Sequence, residues 1–321
     1  MLFREDGRPM LTRCTTKAWL GAILCASAAT AAEAPKRPPI TGVAHIALWV
    51  HDVEKSRAFY KDFLGFGEPF QLNNADGTLS LTFIKVNDRQ YIEIFPEKQP
   101  GTDRLSHYSL ETDDAEALRA YLAARGVKVP DKVAKGRVGN FNFNITDPDG
   151  HTVEITQYGP DSWCAREKGK YMDGPRISTR MTHVGITVRS LEPSLAFYRD
   201  VLGFQEIWRG SKDGKQLDWV NLKAPEGDDY LELMLYSAPL SLASLGTLNH
   251  ISLESSDVEA SAADLKKRAE RVAYSHSLET KTGVNRKRQL NLYDPDGTRT
   301  ELMEPKTVDG KPVPSSTAPP R

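Results

Sequence analysis

Four histidines and four glutamates lie at matching places in a repeated pattern, and together they could bind metal ions. Each histidine lies in a short apolar run typical of a β-strand, and each glutamate lies among apolar residues in a later run. They are His45, His107, His183 and His250, and Glu93, Glu154, Glu232 and Glu301. Two imidazoles and two carboxylates suit a divalent ion and leave positions for water or substrate. We predict such an ion as cofactor, with Zn, Ni, Mn, Co and Fe(II) all possible.

The pattern comes from an internal duplication of the chain. The run Ala44-His45-Ile46-Ala47 precedes Ala58-Phe59-Tyr60 by the same interval at which the run around His183 precedes Ala196-Phe197-Tyr198. Each copy divides again into two modules that read strand, helix and three strands, and a histidine lies in the first strand of every module. The sequence therefore predicts an α+β fold of four βαβββ modules.

Side chains on a strand alternate between two faces, which indicates where the candidate ligands point. In the run from Tyr91 to Phe95, the isoleucines should pack under helices, so Tyr91, Glu93 and Phe95 share the opposite face. In the first strand, His45 shares a face with Trp49. The residue two positions after each histidine is small, which suits a concave pocket. These small residues are Ala47, Ser109, Gly185 and Ser252.

The repeats divide the chain into two predicted domains, residues 40–158 and 179–305. A polar linker, residues 159–178, joins them. In each domain an Asp-Pro-Asp-Gly sequence, which is a strong turn signal, precedes the last strand. The proline-rich tail, residues 306–321, is expected to be disordered, and an arm along the domain surface is the alternative.

Residues 1–32 resemble a secretory signal peptide. Arg13 and Lys17 precede an apolar run, and small residues follow through Ala32. We expect export to the periplasm or the medium, after which only Cys164 would remain and no internal disulfide could form. The net charge of −1 gives no basic excess for nucleic acid or an anionic membrane, so we expect a small-molecule partner and a monomer or homodimer.

With these motifs the chain resembles the vicinal oxygen chelate superfamily, which includes glyoxalase I, bleomycin-resistance proteins, methylmalonyl-CoA epimerase and extradiol dioxygenases. The resemblance rests on the His-Ile-Ala-Leu strand, the Phe-Tyr…Leu-Gly-Phe helix ending, and Asp-Pro-Asp-Gly before a strand with glutamate. It implies two glyoxalase-like domains, in which paired modules curl into U-shaped mixed sheets around a metal. Modules one and two could form one cup and three and four the other, or one could pair with four and two with three.

The resemblance implies ligation by His45, Glu93, His107 and Glu154 in one cup and by His183, Glu232, His250 and Glu301 in the other. The leading hypothesis is a metal-dependent lyase or isomerase of glyoxalase-like type that acts on a small oxygenated substrate, with Glu154 or Glu301 as general base. One alternative is an Fe(II) extradiol-type dioxygenase that uses His183, His250 and Glu301. Residues 285–291, however, lack the further histidine that those enzymes carry.

Another alternative is a metal-poor protein that binds a small molecule, as antibiotic-binding relatives do. Aromatic lining by Trp49, Phe95 and Trp219 would suit it. For either kind of site, the candidate substrate contacts are Tyr91, Tyr230, Trp49, Asn142, Gln289 and Asn291. The remaining histidines, His51, His151 and His276, do not recur and are expected at the surface.

Overall fold

The computed structural model describes residues 35–321. The predicted signal peptide, residues 1–32, therefore lies outside the described residues. None of the helices in the described range is long and apolar enough to cross a bilayer.

Two eight-stranded mixed sheets form the framework. The strands of the first sheet are β1 (Ile40–Val50), β2 (Gly67–Asn73), β3 (Leu79–Lys85), β4 (Tyr91–Pro96), β5 (Leu105–Thr112), β6 (Ala134–Lys135), β7 (Phe141–Thr146) and β8 (Thr152–Gln157). Those of the second are β9 (Met181–Val188), β10 (Gln205–Gly210), β11 (Trp219–Lys223), β12 (Tyr230–Leu235), β13 (His250–Glu254), β14 (Lys281–Thr282), β15 (Lys287–Tyr293) and β16 (Arg299–Thr307).

The strand order shows which modules pair. The first sheet runs β2-β3-β4-β1-β5-β8-β7-β6, and the second repeats this order as β10-β11-β12-β9-β13-β16-β15-β14. The first strands of two modules, β1 and β5, pair antiparallel at the centre, and each pairs in parallel with the last strand of its own module. Modules one and two therefore share a sheet, as do three and four, which confirms the predicted α+β architecture of two curled sheets.

The described residues form six α-helices, three of which begin after a capping aspartate and three after a serine. They are α1 (Val53–Arg57), α2 (Ala115–Ala124), α3 (Trp163–Arg166), α4 (Leu191–Leu195), α5 (Leu242–Leu248) and α6 (Val258–Ala269). Asp52 accepts hydrogen bonds from two N–H groups of the first turn of α1, and Asp114 and Asp257 do the same for one N–H group each. A π-helical turn extends α1 through Ala58–Phe63, and another extends α4 through Ala196–Val201.

Contacts on the helix side of the sheets join module one to module four and module three to module two. The Tyr60 hydroxyl of module one donates to Asp294 of module four at 3.1 Å, and the Tyr198 hydroxyl of module three donates to Asp147 of module two at 2.6 Å. Both aspartates begin an Asp-Pro-Asp-Gly turn, so these turns also fix one half on the other. His151, expected at the surface, is half-buried here because its Nδ1 lies 2.8 Å from the buried Asp147 carboxylate.

The linker and the tail both lie against the sheets. The buried Lys85 Nζ donates to the carbonyl oxygens of Glu167 and Lys170 and so anchors the linker. Beyond Thr307 the tail has no helix or strand. The N–H of Ser316 bonds the Arg209 carbonyl, and the Pro319 carbonyl accepts from Leu217, so the tail is an arm along β10 and β11.

Candidate metal centres

Four side chains of the first sheet converge on one point, which we call the first cup. The Nε2 atoms of His45 and His107 are 3.1 Å apart. Carboxylate oxygens of Glu93 lie 3.8 Å from each of these nitrogens, and those of Glu154 lie 3.7 and 3.9 Å from them. The four predicted ligands of the first domain therefore form one cluster.

The second cup repeats this arrangement in the second sheet and is more deeply buried. The Nε2 atoms of His183 and His250 are 3.1 Å apart. Glu232 lies 3.9 Å from His183 and 3.5 Å from His250, and Glu301 lies 3.6 Å from His183. The two imidazoles are 1% and 0% exposed, against 7% and 14% in the first cup, so the second site is better shielded from water.

Strand register brings these groups together. Ala47 lies between Glu93 and His107 on the neighbouring strands, and Gly185 lies between Glu232 and His250 in the same way. On the next strand of each sheet, Ser109 lies between His45 and Glu154. Ser252 lies between His183 and Glu301 in the same way. The small residues therefore leave room for imidazoles from the next strand. A Cβ atom on Gly185 would overlap the ring of His250.

Burial sets the protonation of the donors. It lowers the pKa of His183 and His250 well below the usual value, so both rings are neutral at pH 7. His250 Nδ1 donates to the Leu248 carbonyl at 2.7 Å, which leaves the Nε2 lone pair facing the cup. Burial together with Glu301 raises the pKa of Glu232 to about 8, and burial raises that of Glu154 to about 7.

The donor chemistry fits a divalent metal ion. Two lone pairs and two acids facing one another in low dielectric are unfavourable until a cation binds them. An ion held at about 2.0–2.2 Å from each donor keeps neighbouring donors roughly 3 Å apart, close to the separations found here. In each set, three residues, the two histidines and Glu154 or Glu301, have ligand atoms within 4.8 Å of one another, and Glu93 or Glu232 lies within 4 Å of the same histidines. Each set could therefore hold one ion.

Cavities open beside the second cup. One of about 260 Å³ is lined by Glu232, Glu301 and the predicted contact Gln289, together with Trp219. An adjoining cavity of about 490 Å³ is lined by Tyr230, whose ring stacks on His183 with centroids 4.4 Å apart. Asn291 lies opposite Glu301 on the neighbouring strand, and its Oδ1 atom has no hydrogen-bond partner within residues 35–321.

The corresponding part of the first cup is filled by aromatic side chains. Tyr91 is buried in a cluster with Phe70 and Phe83, and Trp163 of the linker helix α3 packs edge-on against Phe70. Tyr91 is therefore a packing residue of this cluster. The ring centroids of Trp49 and Phe95 are 5.2 Å apart. Asn142 is half-buried and lies opposite Thr156 near the outer part of the sheet.

Sequence reasoning missed several residues beside the second cup. Asn221 lies opposite Glu232, where the first cup has Phe83, and Arg299 precedes Glu301 by two positions on β16. Strand alternation could have identified both, because each shares a face with a predicted ligand. Lys212 and Lys281 also reach the 260 Å³ cavity, but from positions whose place in the fold the sequence does not reveal.

Both halves of the chain match one known family. The sequence pattern of the Glyoxalase/Bleomycin resistance protein/Dioxygenase superfamily matches residues 42–155 and 180–302. The chain therefore belongs to this superfamily, with one match in each half.

Individual relatives within the superfamily differ in activity. The chain is 28% identical to lactoylglutathione lyase of Schizosaccharomyces pombe over 51% of its own length and 59% of that protein. It is 32% identical to mitochondrial methylmalonyl-CoA epimerase of Mus musculus over 39% of its length and 72% of the epimerase. The match to the lyase thus spans well under two thirds of that enzyme.

Solved structures share the fold at low identity. A 2,3-dioxygenase from Pseudomonas sp. KL28 superposes with a TM-score of 0.64 at 18% identity, covering 87% of this chain and 98% of the dioxygenase. A Mn(II)-bound glyoxalase from Novosphingobium aromaticivorans superposes with a TM-score of 0.60 at 19% identity, covering 88% and 89% of the two chains. At such identities the likeness establishes the fold alone.

Proposed function

We propose that this chain is a divalent-metal-dependent enzyme of glyoxalase-like type, with lyase or isomerase chemistry in the second cup. The observation that carries the proposal is a full set of two imidazoles and two carboxylates beside a cavity of about 260 Å³ that Glu232 and Glu301 line. The lyase and epimerase relatives support this reaction class.

The residues of the second cup have distinct roles in this proposal. His183, His250, Glu232 and Glu301 would hold the ion. When bound, the ion supplies Lewis acidity that stabilises negative charge on a substrate oxygen as a neighbouring C–H bond loses its proton. Glu301, which is 5% exposed, would release its hold on the ion to accept that proton, and the shielding of the site keeps water from competing. Tyr230 fixes the orientation of His183 by stacking on it.

The test measures hemithioacetal isomerisation and epimerisation by the full chain loaded in turn with Ni(II), Zn(II) and Mn(II). Glu301→Gln should lower kcat by roughly 10²–10⁴-fold, the range for a lost general base. The matched control is Glu154→Gln in the first cup, which should retain most of the activity. Equal losses in the two variants, or activity that survives removal of the metal, would contradict the assignment to the second cup.

A second candidate is an Fe(II) extradiol-type dioxygenase that uses His183, His250 and Glu301. Ligand atoms of these three residues lie within 4.8 Å of one another, which favours it. Oxygen consumption with catechol by the Fe(II)-loaded protein, lost in His183→Ala, would select this reaction over the first. Absence of stoichiometric metal in either cup would select a small-molecule binding protein instead.

The N-terminal residues carry a separate proposal, which is export of the mature protein. It rests on the order of charged, apolar and small residues in 1–32. Mass spectrometry of the secreted or periplasmic protein should find an N-terminus near Ala32. A protein in the cell interior that retains the apolar run of residues 1–32 would contradict it.

A further inference from the structure

Basic side chains surround the cavities of the second cup. Lys212, Lys281 and Arg299 line the 260 Å³ cavity together with both glutamates, and Lys287 lines the adjoining 490 Å³ cavity. Among residues 35–321, these four cations form no salt bridge with any acidic side chain. What distinguishes Lys212, Lys281 and Arg299 is that they line a cavity that two carboxylates also line.

The fold does not require these charges, because the first cup lacks them. Lys281 pairs with Gln289 as Ala134 pairs with Asn142. Arg299 lies opposite Tyr293, the last residue of β15, as Thr152 lies opposite the last residue of β7. Arg299 therefore corresponds to Thr152. By the interval of 138 residues between modules one and three, Lys212 corresponds to Asn74, and by the interval of 147 residues between modules two and four, Lys287 corresponds to Asn140. Four uncharged positions of one cup are thus all cationic in the other.

The cations repel one another across the cavity. Burial lowers the pKa of Lys281. The positive charges of Arg299 and Lys212 lower this pKa further, whereas the charge of Glu301 raises it. The Arg299 Nε atom is buried and has no hydrogen-bond partner in the described part of the chain. A divalent ion would balance Glu232 and Glu301, which leaves the cations without compensation. A bound anion would remove this repulsion and accept the donors of Arg299.

We propose that the substrate of the second cup carries an anionic oxygen group, a carboxylate or a phosphate, which Arg299, Lys281 and Lys212 bind. This inference rests on the proposed function, because it places the anion beside the metal-facing end of the substrate. Arg299 and Glu301 are two residues apart on one face of β16, or about 6–7 Å. The anionic group should therefore lie a few bonds from the reacting carbon, in the cavity that the indole rings of Trp208 and Trp219 also line.

Tryptophan fluorescence gives a readout that does not depend on turnover, because Trp208 and Trp219 border the cavity. The full chain, metal-free and Mn(II)-loaded, is titrated with sodium succinate, inorganic phosphate and neutral ethylene glycol at constant ionic strength. Succinate or phosphate should give a saturable change, and ethylene glycol should give none. Saturation by succinate alone identifies a carboxylate site, and saturation by phosphate alone identifies a phosphate site.

The variants test which residues bind the anion. Arg299→Gln and Lys281→Gln should weaken binding by about tenfold each, as expected for loss of a charge-assisted hydrogen bond. Lys128→Gln is the matched control, because Lys128 is exposed and distant from the cup in sequence, and its affinity should equal that of the wild type. Affinities of Arg299→Gln within twofold of wild type in both metal states, or no saturable change at all, would overturn the inference.

These outcomes also separate this inference from the proposed function. Anion binding that depends on Arg299, together with no metal binding by the second cup, would leave the anion site standing and refute the metalloenzyme. Metal-dependent turnover with unchanged anion affinity in Arg299→Gln would support the metalloenzyme and refute the anion site.

Discussion

Loading the second cup with metal should release close to one proton per ion at pH 7. Burial and the neighbouring Glu301 raise the pKa of Glu232 to about 8 in the metal-free protein. At pH 7 this carboxyl is therefore about nine-tenths protonated, and the ion must displace that proton to bind it. The imidazoles contribute none, because burial lowers the pKa of His183 and His250 and both are already neutral.

The pH dependence follows with a definite sign. Protons compete with the metal below pH 8, so apparent affinity should fall by about tenfold for each unit of pH below that value. Proton release should decrease from about 0.9 per ion at pH 7 to about 0.1 at pH 9, where Glu232 is already ionised.

Calorimetric titration with Mn(II) in two buffers of different ionisation enthalpy measures the number of protons released. A background of His45→Ala and His107→Ala removes the first cup from the measurement. Glu232→Gln in this background is the control, because it cannot release the proton but retains any contribution from metal-bound water. Metal binding with no proton release at pH 7, or equal release in the Glu232→Gln control, would contradict the assignment of the released proton to Glu232.

Three further predictions concern metal affinity and the stability of the fold. Gly185→Ala should reduce metal affinity of the second cup by about tenfold or more, because the added methyl group displaces His250, and equilibrium dialysis with Mn(II) would test it. Tyr60→Phe should lower the free energy of unfolding by about 1–3 kcal/mol in urea, because it removes a donor from the buried Asp294. Tyr171→Phe, at a side chain that is 46% exposed, should have no measurable effect. Metal at a hundred times its dissociation constant should stabilise the chain by about 2.7 kcal/mol and raise Tm, whereas an unchanged Tm would contradict binding to the native state.

Local rules were sufficient to predict much of the fold and of the candidate site. Strand alternation put His45 and Glu93 on one face, and register then brought them within 3.8 Å. The small residues beside the histidines were also readable, because Gly185 and its counterparts recur at a fixed offset. The start of α1 also follows a local rule, because the Asp52 side chain accepts hydrogen bonds from N–H groups of its first turn.

Other features depend on contacts between distant segments, which the sequence did not determine. Module pairing was open because both combinations place two histidines and two glutamates in each cup. The structure uses one combination in the sheets and the other where Tyr60 meets Asp294. The linker was expected to be a simple connection, but Trp163 and the buried Cys164 pack into the aromatic cluster of the first cup. A four-residue helix such as α3 has too short a pattern to predict that contact.

The most direct test of the account is the metal content of the second cup. The full chain with His45→Ala and His107→Ala is dialysed against Mn(II), and bound manganese is measured by atomic emission before and after adding His183→Ala. We predict about one ion per chain in the first protein and its loss when His183 is also replaced. Less than about a tenth of an ion in the first protein, or a full ion that persists without the His183 imidazole, would contradict convergence of these side chains on one metal.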